Sequence, residues 1–145
     1  MTEQPNPDLA SGILAFESKQ FSRALQLLSP LAEAGNPEAQ YRLAIMCQNG
    51  LGILRNEARA FGWMRSAAEQ GLGLAQHGLG FMYMEGDCVD PDGTEAVKWF
   101  TQAAKQGLVG SQTTLAMLYE QGEIVAQDLD KAREWYRKAG FEEKA

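Results

Sequence analysis

One spacing governs what this chain can fold into. Gly35, Gly71 and Gly107 lie 36 residues apart, and the same shift lays Gln40 over Gln76 and Gln112. It also superimposes Leu43, Leu79 and Leu115, then Gly50, Gly86 and Gly122. Ala60, Ala96 and Ala132 follow, as do Trp63, Trp99 and Trp135, and Ala67, Ala103 and Ala139. Three units, 36–71, 72–107 and 108–143, align without a gap. A fixed period of this length marks a repeat array, in which one unit cannot bury its apolar face alone and must stack on its neighbours.

Each unit reads as two helices. In the first half of the second unit, Ala75, Leu79, Met82 and Tyr83 recur at i, i+4, i+7 and i+8, the stripe of an amphipathic helix. Gly86 ends that helix, because glycine adopts a left-handed cap without steric cost. The loop runs to Asn56, Asp92 or Asp128, each able to accept a hydrogen bond from an unpaired N–H at the next helix start. Glu95, three residues after Asp92, nearly completes a capping box. Ala96, Trp99, Phe100 and Ala103 then form one face of the second helix, which closes at Gly107.

Unit two, LGLAQHGLGFMYMEGDCVDPDGTEAVKWFTQAAKQG, resembles the Sel1-like repeat, a relative of the tetratricopeptide repeat with a longer internal loop. Unit one departs from that pattern at Cys47, where the family has Tyr, and unit three at Gly140, where it has Ala. Upstream, FESKQFSRALQLLSPLAEAG looks like the second half of a tetratricopeptide-like unit at 7–35. There Phe21, Ala24, Leu28 and Leu31 stand at packing positions, with Gly12 in the preceding helix. The resemblance implies a single all-α domain over 1–145, an α-solenoid of about eight helices in antiparallel pairs, wound as a right-handed superhelix. It also implies that the first helices line a concave surface.

Composition narrows the chemistry. A net charge of −6 with no basic run argues against a nucleic-acid surface. No apolar stretch is long enough to cross a bilayer, and MTEQPNPDLASG has neither the basic nor the apolar region of a secretory leader. The expectation is a cytoplasmic protein, with Cys47 and Cys88 as two free thiols. With no CxxC and one histidine, no zinc or redox motif is visible, and no cofactor or metal is expected.

Several segments imitate sites. CVDPDGTEAVKW half mimics a calcium loop, with Asp90, Asp92 and Gly93 in place, but Cys88 and Trp99 stand where the first and the bidentate ligands belong. GLGLAQHGLG has Gln76 in place of the third glycine of a dinucleotide fingerprint, and it follows a helix, not a strand. The Trp boxes read as core: Trp63, Trp99 and Trp135 are expected to interlock one unit with the next. His77 has no nucleophile at suggestive spacing and is expected at the surface or in a groove, opposite the buried leucine stripe.

The function expected is non-enzymatic: an adaptor that binds a protein or peptide partner. Ile45, Phe81 and Met117 form an apolar column on the first helices, read either as packing between those helices or as a groove for a partner's helix. Tyr41, His77 and Thr113 form its polar neighbour, and Arg42 and Glu85 set its charge selectivity. Two alternatives stand beside this one. One is an immunity or inhibitor protein that blocks a toxin. The other follows from cysteine-rich relatives described as β-lactamase-like hydrolases, which carry a disulfide in every repeat and a leader. Finally, the chain closes on GFEEKA with no further helix, so the face bearing Leu115, Leu118 and Trp135 is expected to be partly uncovered and open to self-association or to a docking partner.

Overall fold

The computed structural model describes residues 6–141. Residues 1–5, the first part of the MTEQPNPDLASG stretch read against a leader, and residues 142–145 of the GFEEKA tail lie outside the described residues. Among those described there are eight α-helices and no strand. They fall into two compact units, 1–70 and 71–145.

The first unit holds α1 (Pro7–Glu17), α2 (Phe21–Glu33), α3 (Pro37–Asn49) and α4 (Glu57–Glu69). Each helix packs on the next in sequence, and α1 also touches α3. The core gathers Ala15, Ala24, Leu28, Ala32, Ala39, Leu43 and Met46, with Phe16, Phe21 and Trp63 packed against it. Leu28 sits so close to α1 that a Cβ on Gly12 would lie 2.5 Å from its Cδ2. Alanine and glycine on the first helix are what let the second approach.

The second unit repeats this with α5 (Gly73–Glu85), α6 (Gly93–Lys105), α7 (Val109–Gln121) and α8 (Leu129–Lys138). Its core holds Ala96, Phe100, Ala104, Leu115 and Leu118. Phe100 takes the place that Leu28 has in the first unit, seated where a Cβ on Gly80 would come within 2.8 Å of its ring.

The caps fall where the residue types place them. Asn56 accepts from the Arg59 amide, Asp92 from Glu95 and Asp128 from Lys131, at 3.0–3.1 Å. The amides of the same three residues return to Cys47, Tyr83 and Tyr119 carbonyls at 2.9 Å, closing each loop onto its first helix. Gly86 and Gly107 take φ of +70° and +92°, a region closed to most side chains.

The structure corrects the reading of the tryptophans. Trp63, Trp99 and Trp135 are all half-buried, and the next residue does the filling: Met64 is 2 % exposed and Phe100 0 %. At 100° per residue, one step along the helix turns the side chain from the rim of the apolar face to its centre. At the rim the indoles carry cations, with Lys98 Nζ at 5.1 Å from the Trp99 ring centre and Lys138 Nζ at 4.6 Å from that of Trp135. The expected exposure of Leu115 and Leu118 is also corrected: they are 0 % and 5 % exposed, turned inward against Phe100 and Ala104.

A polar clasp recurs inside the apolar stack. Gln40 donates to the Ala32 carbonyl at 3.1 Å and accepts from Gln70 Nε2 at 2.9 Å. Gln106 Nε2 reaches Gln76 Oε1 at 2.8 Å in the same way, and also the Gly71 carbonyl at 2.9 Å. Gln112 donates to the Ala104 carbonyl at 3.1 Å, but its buried Oε1 has no partner among the described residues.

Candidate partner-binding faces

On α3, Tyr41, Arg42 and Ile45 come from one turn and are half-buried. Arg42 is the most constrained: its side chain is 12 % exposed, and one guanidinium nitrogen bonds both the Glu38 carboxylate at 2.6 Å and the Glu38 carbonyl at 2.9 Å. Its guanidinium carbon lies 5.7 Å from the Tyr41 ring centre. Burial raises the Tyr41 phenol above its ordinary value, with Arg42 pulling it down and Glu38 pushing it up. The arrangement fixes a largely buried cation in one orientation, paired with Glu38 and with an aromatic face beside it.

On α5, the stripe of Leu74, Gly78, Phe81 and Glu85 runs at i, i+4, i+7 and i+11. Glu85 is exposed and Leu74 is 44 % exposed. Leu74 was not among the residues the sequence singled out. Its column holds Glu38 and Gly110 at the other two positions, so no repeated apolar signal pointed to it.

Two of the expected residues pack into the core instead of edging a groove. His77 is half-buried, its Nδ1 2.6 Å from Ser111 Oγ and its ring edge-on to Phe81 and Phe100 at centroid distances of 4.9 and 5.5 Å. Phe81 meets Phe100 at 5.1 Å. The three rings form one cluster, and Ser111, at 0 % exposure, was missed because its column otherwise holds only alanine. Burial pushes His77 below its ordinary value. A serine closed off from solvent cannot meet a substrate, so this His–Ser contact is a packing contact.

On α7 the corresponding residues differ from each other. Thr113 is half-buried, its hydroxyl donating to the Val109 carbonyl at 2.9 Å, and Met117 is 44 % exposed. The column Ile45, Phe81, Met117 therefore has no common role: Phe81 supports the second core while Met117 faces outward.

Among the described residues no group of three or more His, Cys, Asp or Glu gathers as metal ligands, and no helix is long and apolar enough to cross a membrane. Cys47 and Cys88 are free thiols, and burial pushes Cys47 up, against a smaller downward pull from Arg59. The raised value disfavours the reactive thiolate.

Comparison with functionally curated proteins returns no match. A solved Sel1 repeat protein from Oxalobacter formigenes superimposes with a TM-score of 0.86 at 30 % identity, over 93 % of this chain and 54 % of that one. The c5321 protein, a protective antigen of uropathogenic Escherichia coli with an SLR fold, does so with a TM-score of 0.84 at 38 % identity, over 91 % of this chain and 29 % of that one. The chain thus spans about half and under a third of these two neighbours, both of the SLR solenoid class. The Sel1 repeat family model matches residues 37–72, 73–108 and 110–140, each within two residues of a unit start read from the glycine spacing, and the chain belongs to the Sel1 repeat family.

Proposed function

We propose that the chain is a non-enzymatic adaptor that binds a protein or peptide through the outward faces of its first helices. The observation that carries this is where the repeats agree and where they differ. Gln40, Leu43 and Ala60 are identical to their equivalents in the other two units, and all nine of these residues are buried. The outward positions change from one unit to the next: Glu38, Leu74 and Gly110; Arg42, Gly78 and Thr114; Asn49, Glu85 and Gln121. A common scaffold carrying dissimilar side chains on its first helices is how repeat arrays acquire selectivity. The general role of Sel1 repeats as interaction scaffolds supports the same reading. On α3 the anchor is Arg42 with Tyr41, suited to an acidic group on the partner. On α5 it is Leu74 with Glu85, suited to an apolar residue followed by a basic one. Ile45, Thr113 and Met117 contribute contact area, while His77 and Phe81 hold the second core in shape.

The test is affinity capture from the native cell with the wild-type chain and with Arg42→Ala/Glu85→Lys, identified by mass spectrometry. The reading expects at least one protein held by the wild type and lost from a variant that melts like the wild type. If every captured protein is held equally by both, these faces do not bind the partner.

A further inference from the structure

Helix α1 and the α7–α8 edge each expose apolar side chains, and the covered surfaces elsewhere in the chain show what belongs on them. In the second unit α7 packs over α6 and seals α5: Leu108 lies against Gly73, and Ser111 and Gly110 against His77. The loop that follows covers the start of α6, so that a Cβ on Gly93 would meet Ile124 Cγ2 at 2.9 Å. In the first unit Gly52 covers Phe21, at the start of α2, in the same way. Moving 36 residues on from Gly73, Phe81 and Gly93 gives Val109, Met117 and Leu129, which are 54 %, 44 % and 49 % exposed. The edge formed by α7 and α8 has the contacts of a stacking surface, with nothing from the described residues stacked on it.

Helix α1 offers what such a surface takes. Gly12 faces Leu28 as Gly80 faces Phe100, which aligns α1 with the later first helices across its shorter loop of residues 18–20. Two residues beyond Gly12 stands Leu14, and two beyond Ala44, Gly80 and Ala116 stand Met46, Met82 and Leu118. Those three are 0 %, 1 % and 5 % exposed, whereas Leu14 is 64 % exposed. Charge agrees as well. Helix α1 carries Asp8 and Glu17 and no basic residue, while α8 carries Lys131, Arg133, Arg137 and Lys138 against Asp130 and Glu134.

We propose that the α7–α8 edge docks a second copy of this chain head to tail, with α1 of the incoming copy seated as a first helix and Leu14 set among Val109, Met117 and Leu129. Because the two surfaces differ, the contact is heterologous and each added copy leaves a fresh edge exposed. This edge differs from the α3 and α5 anchors proposed for the partner and shares only Met117 with that reading; Leu14→Glu leaves every residue proposed for the partner in place, so either site can fail without the other.

Sedimentation velocity of the full chain from about 1 µM to about 1 mM tests it, with Leu14→Glu and Met117→Glu alongside. Both residues are exposed, and circular dichroism melts confirm that the variants fold. The wild type is expected to grow in mass with concentration, and more weakly at high salt. Each variant alone is expected to stay at one chain. An equimolar mixture, with one sound edge of each kind between the two variants, is expected to form a two-chain complex and to grow no further. A wild type of one-chain mass throughout overturns the proposal. So does association that survives Leu14→Glu but not Met117→Glu, which would mean that the α7–α8 edges meet each other.

Discussion

The second and third repeats are built on one template, and the third is the looser copy. In the second, Phe100 is fully buried against Gly80, and Gln76 receives its hydrogen bond from Gln106 at the end of a helix of 13 residues. In the third, Ala116 stands where the second has Gly80, Tyr136 is only half-buried, and α8 ends after 10 residues, just before Gly140 with φ of +96°. The position matching Gln70 and Gln106 is Glu142, whose carboxylate has no N–H to give. The contrast separates what the repeat needs in order to fold, an apolar knob in a notch, from what finishes it, a polar clasp at the helix end.

The largest effect lies in the knob. Phe100→Ala removes a fully buried ring and is expected to cost about 3–5 kcal/mol. Tyr136→Ala, at the matching position, removes a half-buried ring whose hydroxyl makes a long 3.3 Å bond to Glu120, and it is expected to cost about 1 kcal/mol. Urea melts of the two variants measure the difference. Equal losses would mean that both repeats rest on the knob to the same degree, and the comparison would fail.

That contrast also marks the limit of what the sequence discloses. The period, the helix pairs and the caps Asn56, Asp92 and Asp128 are legible because each depends on local chemistry repeated at one spacing. The identity of the knob is not. Trp and Phe are neighbours in EAVKWFTQAAKQG, and composition favours the larger ring, but which of them reaches the centre of the face depends on helical phase against a partner helix. The candidate site is less legible still. His77 and Phe81 share a helix stripe with exposed Glu85, and only the position of Ser111 and Phe100 on other helices decides that the first two point into packing. Met117 matches Phe81 in sequence and differs from it in exposure because no described residue covers that face of α7.

The clasp is the next test of the comparison. Gln76→Leu removes the acceptor for Gln106 and is expected to destabilise by about 1–3 kcal/mol. Gln112→Leu gives up one bond to the Ala104 carbonyl but also removes a buried acceptor that nothing satisfies, so the two terms offset and the change is expected to stay within about 1 kcal/mol. The Ala104 carbonyl still accepts from the Gly107 amide at 3.0 Å, so no new orphan is created. The same urea melts decide the matter, and a Gln112→Leu loss as large as that of Gln76→Leu would show that the third clasp is complete.

The smallest expected effect separates the second repeat from the third by pH, since His77 in the second corresponds to Thr113 in the third. The imidazole lies among Phe81, Phe100 and Ser111, and over the first turn of α7, where a Cβ on Gly110 would be 3.7 Å from its Cε1. Burial and the positive end of the α7 dipole both disfavour an added charge. The neutral ring can meet the Ser111 hydroxyl at Nδ1 as either donor or acceptor, whereas the charged ring can only donate there. A histidine whose folded value is lowered contributes stability that is fully present above its ordinary value near 6.5 and declines as the pH falls below it. The melting temperature of the wild type is therefore expected to fall between pH 7.5 and 5.5 by more than that of His77→Gln, which keeps a polar neighbour for Ser111 but cannot take up a proton. Carboxylates contribute equally to both proteins and cancel in the difference. Parallel pH profiles would mean that the ring cluster opens enough for His77 to ionise as freely as it does in the unfolded chain, and the second repeat would then be no tighter at this position than the third.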